Sequence, residues 1–116
     1  MLHVLNLKLV RGPIPDAEAV ERVRLAVANA RLRRQKLVLV VHGYGSGGEG
    51  GSNRNAIRAW INHEVASGRL RTGTPGELLG ESVLRELKRR FSGHLFTELI
   101  PHIRSRNPGV TLIELF

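Results

Sequence analysis

Leu37-Val38-Leu39-Val40-Val41-His42-Gly43-Tyr44-Gly45-Ser46-Gly47-Gly48-Glu49-Gly50-Gly51 decides how this chain is read. Its first five residues form an unbroken apolar run rich in β-branched side chains. That is the pattern of a strand covered on at least one face, as in a parallel sheet. The run stops at His42, and the nine residues from Gly43 to Gly51 contain six glycines. Glycine loses the most entropy on ordering, so such a cluster is costly unless the backbone must come close to something. Ligands of open α/β sheets sit outside the carboxyl ends of the strands, and free amides before a helix N-terminus hold anions.

Upstream, residues 2–9 read as a strand, with Leu5, Leu7 and Leu9 alternating with Val4, Asn6 and Lys8. Arg11 to Pro15 is a loop. Asp16 is placed as the N-cap of a helix running to about Arg34, with Val20, Val23, Val27 and Ala30 as its apolar stripe. Arg31, Arg33, Arg34 and Lys36 complement the dipole at its end, a sufficient structural reason for those charges. Strand, helix and strand make a βαβ unit. If its strands are neighbours, Lys8 lies beside His42.

Downstream, a helix is expected from about Asn53 to Ala66, capped by Ser52, with Ile57, Trp60, Ile61 and Val65 buried and Gly68 ending it. Trp60 lies in that stripe and reads as core rather than as a stacking platform. A short strand is expected at Arg69 to Thr72 and a turn at Thr74-Pro75-Gly76. Amphipathic helical material runs from Glu81 to Phe91 and on through Leu95 to Ile100, interrupted at Gly93 and Pro101. After the Asn107-Pro108-Gly109 turn, Val110 to Phe116 closes the chain as a strand. The 116 residues suffice for one domain, 1–116, with one core.

Lysine plus arginine number 18 against 10 aspartate plus glutamate, a formal charge of +8, and 15 of the 18 are arginine. A field of that sign draws in polyanions, and the guanidinium fork suits phosphate oxygens. The absence of cysteine excludes disulfides, thiolate metal sites and cysteine nucleophiles, and fits a cytoplasmic protein. No apolar run is long enough to cross a membrane, and no basic segment precedes an apolar block at the start, so neither a membrane partner nor an export leader is expected.

The glycine loop has the chemistry of a phosphate cradle: Gly43, Tyr44, Gly45, Ser46, Gly47 and Gly48, flanked by Arg54 and Arg58 one helical turn apart. Tyr44 is the one aromatic placed to stack on a base. Gly43, Gly45 and Gly48 satisfy G-x-G-x-x-G, but the loop continues to Gly51 and no second mononucleotide half follows. A Walker loop needs Lys and then Ser or Thr after its last glycine, and this loop has neither. For phosphodiester hydrolysis, His42 is the histidine placed for proton transfer, with Lys8 to stabilise developing charge. A histidine at a strand end serves equally as a structural group bonded to a nearby carbonyl. The chain has a single aspartate, His63-Glu64 lacks the second histidine of H-E-x-x-H, and His94 and His102 are too far apart for a helical pair. No metal and no cofactor are therefore expected.

Together these residues resemble the Smr (small MutS-related) domain. His42-Gly43-Tyr44-Gly45-Ser46-Gly47 is similar to the family's H-G-x-G-x-G signature. Asn107-Pro108-Gly109-Val110-Thr111-Leu112-Ile113-Glu114-Leu115 is similar to its G-x-G-V-T-x-V-x-L ending, with Asn107 in place of the first glycine. The long glycine loop and the helical insertion resemble a stand-alone bacterial variant. The resemblance implies an α/β fold, a βαβαββ two-layer sandwich on a four-stranded mixed sheet. That fold is similar to the C-terminal domain of translation initiation factor three, here with an extra helical insertion near 81–104. It also implies binding to DNA or RNA and, in several members, nicking endonuclease activity. The family's first strand carries L-D-x-H or L-D-x-R; here Leu5-Asn6-Leu7-Lys8 stands there, so Lys8 keeps a charge for phosphate while Asn6 offers no carboxylate. Three readings stay open: a nucleic-acid-binding domain with nicking activity, a non-catalytic module docking on RNA, the ribosome or a repair protein, and a small nucleotide or anion binder.

Overall fold

The computed structural model describes residues 2–9, 13–43 and 50–116. Leu2–Asn6 (β1) is the first strand, and a 3-10 turn follows at Leu7–Leu9. The strand is shorter than its alternation suggests because the Asn6 side-chain oxygen accepts from the Lys8 N–H (3.0 Å), an Asx turn that bends the chain. Asp16–Leu32 (α1) follows, with Asp16 as first helical residue and Pro15 at the cap position; Pro15 makes no side-chain cap bond. The helix ends where Arg34 adopts a left-handed conformation (φ 57°). The Gln35 N–H then reaches the Ala30 carbonyl and the Arg34 N–H that of Arg31, a Schellman closure. Leu37–Val41 (β2) pairs in parallel with β1, Leu2 against Leu37 and Asn6 against Val41.

Gly50–Ala66 (α2) begins earlier than the expected Asn53, so Ser52 falls in its first turn instead of capping it. Gly68, at φ 78°, ends it as expected, with the same closure onto Glu64 and Val65. Thr72–Pro75 (β3) replaces the strand expected at Arg69 to Thr72, because Leu70 is drawn into the core as the chain leaves α2. β3 is an edge strand that pairs only with the last strand, so Pro75 leaves no ladder bond unmade on the open side. Glu81–Arg90 (α3) and Gly93–Ile103 (α4) are separate helices. The break falls at Phe91 and Ser92, whose hydroxyl caps α4 by accepting from the Leu95 N–H (3.2 Å), and α4 runs through Pro101 rather than stopping there. Val110–Glu114 (β4) lies antiparallel between β2 and β3, giving the order β1-β2-β4-β3.

The four-stranded mixed sheet is the expected one, and the insertion adds a third layer to the expected two-layer sandwich. Val38, Val40 and Ile113 face α1 and α2, and pack with Val23, Val27, Ile57 and Ile61. Leu37, Leu39, Val110 and Leu112 face α3 and α4, and pack with Leu87, Leu95, Leu99 and Ile103. β2 is therefore covered on both sides, which is why it reads as an unbroken apolar run. Among the described residues no helix is long and apolar enough to cross a membrane.

Candidate functional site

β1, β2 and β3 all end at one edge of the sheet, where β4 begins. Gly43 leaves β2 at φ 84°, a left-handed conformation that suits glycine. The N–H groups of His42 and Gly43 both donate to the Gly109 carbonyl (3.0 and 2.9 Å), which clamps the Asn107–Gly109 turn onto the end of β2. That turn is closed by its own asparagine, whose side-chain oxygen accepts from the Gly109 N–H (2.9 Å) and whose amide donates to the His102 carbonyl (3.0 Å). Lys8 lies over the same spot, its Cγ and Cδ 3.7 Å from where a Gly43 Cβ would stand. The side-chain methylenes of Lys8 rest on the glycine, leaving its ammonium to solvent.

His42 is buried, 6% exposed. Its Nδ1 is 3.0 Å from the Gly43 carbonyl oxygen and its Nε2 is 2.9 Å from Thr111 Oγ1. A carbonyl only accepts, so the ring proton sits on Nδ1, and Nε2 accepts the Thr111 hydroxyl proton. The hydroxyl in turn accepts from Arg58 Nε (3.1 Å). The Arg58 guanidinium is bidentate to Glu77 (2.9 and 2.8 Å) and also donates to the Pro108 and Val110 carbonyls. The network thus runs in one direction, from Arg58 through Thr111 and His42 to the Gly43 carbonyl. Burial pushes the His42 pKa down to about 4, and the Arg58 and Arg54 charges push the same way, while the bond to the Gly43 carbonyl and the Glu77 charge oppose them. The Arg58 guanidinium holds the Glu77 carboxyl below its ordinary range.

Arg54 lies close enough to His42 and Glu77 for its charge to act on both. Its Nε, like Asn53 Oδ1, is buried with no hydrogen-bond partner among the described residues. A buried N–H without a partner is uncommon and calls for an acceptor.

The edge therefore gathers Lys8, His42, Gly43, Arg54 and Arg58. Tyr44, Gly45, Ser46, Gly47 and Gly48, the rest of the expected cradle, lie outside the described residues, as does Glu49. Arg58 points its donors at Thr111, Glu77 and two carbonyls. Among the described residues no three His, Asp or Glu side chains are grouped closely enough to share a metal ion. Sequence reasoning quoted Gly109 and Thr111 only within the closing motif, with no role in the site, and did not find Glu77. A polar Thr111 between Val110 and Leu112 in a strand was a readable signal. Glu77, 19 positions from Arg58, gave none.

No family model and no curated protein matches the chain. Among solved structures, it is similar to the crystal structure of the Smr domain of Thermus thermophilus MutS2. The TM-score is 0.55 and the identity 18%, over 99% of this chain and 96% of that one. The likeness is one of fold along the whole chain, in agreement with the resemblance read from the sequence.

Proposed function

We propose that this domain binds the phosphate backbone of nucleic acid at the carboxyl edge of its sheet, with Lys8, Arg54 and the Gly43–Gly48 segment as the binding elements. The observation that carries the reading is the Lys8 side chain packed on Gly43, with Arg54 close enough for its charge to act on the adjoining His42 and keeping a buried N–H with no acceptor among the described residues. The net charge of +8 supplies the long-range attraction. In this reading Arg58 is the internal brace of the site: its guanidinium is occupied by Glu77, Thr111 and the turn carbonyls. His42 holds the Gly43 carbonyl in place. With both ring nitrogens bonded and a pKa near 4, it is poorly matched to proton transfer at neutral pH. The fold likeness to an Smr domain is compatible with this reading, and the non-catalytic alternative is preferred over nicking.

Binding of structured RNA and duplex DNA is measured against salt. Affinity is expected to fall steeply as salt rises, and Lys8→Gln and Arg54→Gln are each expected to flatten the log–log slope by about 1. Affinity that is flat in salt overturns the proposal. Nicking of supercoiled plasmid by the wild type but not by His42→Ala would replace the binding-only reading with an enzymatic one.

A further inference from the structure

The α3–α4 layer supplies only the His102 carbonyl to the site described above, yet it carries a basic concavity of its own. A groove of about 610 Å³ opens between the start of α3 and the end of α4, with Gly80, Glu81 and Arg85 on one wall and Arg104 and Arg106 on the other. Other cations of this layer are already engaged. Arg89 is bonded to Glu86, Arg90 to Glu114, and the Lys88 ammonium sits 5.9 Å from the centre of the Phe96 ring. Arg85, Arg104 and Arg106 have no hydrogen bond or ion pair among the described residues. Three guanidinium groups thus share one concavity with a single carboxylate, Glu81, so positive charge prevails there and the groove attracts an anion.

The backbone holds Arg106 there at some cost. Ser105 and Arg106 are successive non-glycine residues in the left-handed region, at φ 61° and 52°. Such conformations persist where the surrounding structure enforces them, and they gather at functional sites. They bring Arg106 Nη2 to 3.2 Å from where a Gly80 Cβ would stand, so the missing side chain at position 80 makes room for the guanidinium. The chain then runs directly into Asn107–Gly109, the turn clamped against Gly43. Residues 106–109 therefore join the groove to the first site along one edge of the sheet.

We propose that this groove is a second phosphate-binding site. It holds the sugar–phosphate backbone of the same nucleic acid that the Gly43 site holds, so that one strand is gripped at two points along the sheet edge. The inference rests on the nucleic-acid-binding function proposed above, and its test separates the two. The full chain is titrated with a labelled hairpin RNA and with a duplex DNA of equal phosphate number. Four proteins are compared: wild type, Lys8→Gln, the groove triple R85Q/R104Q/R106Q, and a charge-matched triple R33Q/R34Q/K36Q at the opposite end of the sheet. All six positions in the triples are exposed, and thermal melts check that each protein is folded. The single Arg85→Gln variant repeats the test with the least disturbance.

On whichever polymer binds, the groove triple is expected to weaken affinity at least about tenfold and flatten the salt slope by about 2 to 3. Arg85→Gln is expected to flatten it by about 1. The charge-matched triple should cost less than about threefold, since its charges act only through the screened field. A groove triple that binds like wild type, or loses no more than the matched triple, overturns the second site. If Lys8→Gln weakens binding and the groove triple does not, the first site stands and the groove falls. Wild type binding neither polymer removes both.

Discussion

Well above pH 6.5 an imidazole is neutral whether the chain is folded or unfolded, so His42 contributes no pH dependence there. The folded ring titrates near 4 against an ordinary value of 6.5, so between those limits the unfolded chain binds the extra proton. Stability is fully present above about 6.5 and falls as the pH drops toward 4, by about 3 kcal/mol in total. Below 4 this contribution is constant. Glu77 acts lower: its depressed carboxyl stabilises the fold above the ordinary carboxylate range and loses that effect as pH falls through its lowered pKa. Urea midpoints measured between pH 7 and 4 should therefore fall for wild type, and the fall should be largely absent in His42→Gln. Equal slopes in the two proteins would mean that His42 is not held neutral. The position of His42 and Lys8 at one sheet edge was readable from the sequence, since Asn6 pairs with Val41 as a βαβ unit requires. The use of Arg58 was not, because its partners Glu77 and the Pro108–Thr111 stretch are brought to it by two different segments.

At the scale of the elements, caps and closures decide where helices stop, and they explain the differences from the sequence reading. Gly68 was legible because glycine adopts the left-handed closure without strain. The closure of α1 uses Arg34 instead, at φ 57°, and an arginine there announces nothing. Replacing it by glycine removes the steric penalty, so Arg34→Gly should stabilise the protein by up to about 1 kcal/mol, less the entropy gained by the unfolded chain. The same change at Arg33, the preceding residue at φ −90°, should destabilise it. Thermal midpoints that move in the same direction in both variants would contradict the closure described. The third strand was displaced for a related reason: Leu70 is 1% exposed, and its burial beside Ile61 and Ile113 outweighs the weak strand signal of Arg69 to Thr72.

At the scale of the whole molecule, β2 is shared by two cores. Val38 and Val40 belong to one, and Leu37 and Leu39 to the other. The two helical layers cover opposite faces of one sheet and share the strands β2 and β4, so the layers are expected to unfold together. Trp60, the single tryptophan, packs against the α1–α2 core, while Leu99 lies in the opposite core and is 1% exposed. Leu99→Ala should cost about 2 to 5 kcal/mol. It should shift the Trp60 fluorescence transition by the same amount as the far-ultraviolet circular dichroism transition. A fluorescence transition that stays at the wild-type midpoint would divide the molecule into two units.

The amino-acid sequence alone determined the α/β class, the βαβ start, the placement of Lys8 beside His42 and the cationic excess. Each of these follows from local periodicity, from a strand's direction or from counting charges. Tertiary structure alone decided that the 81–104 segment covers the second face of the sheet. It also decided that Arg58 is consumed internally while Arg54 keeps a buried N–H without an acceptor among the described residues, and that Arg85, Arg104 and Arg106 share a groove. The physical reason is that hydrogen-bond and ion-pair partners are chosen by proximity in the folded chain. Arg58 and Glu77, or Arg85 and Arg106, meet only after the strands and helices between them have packed.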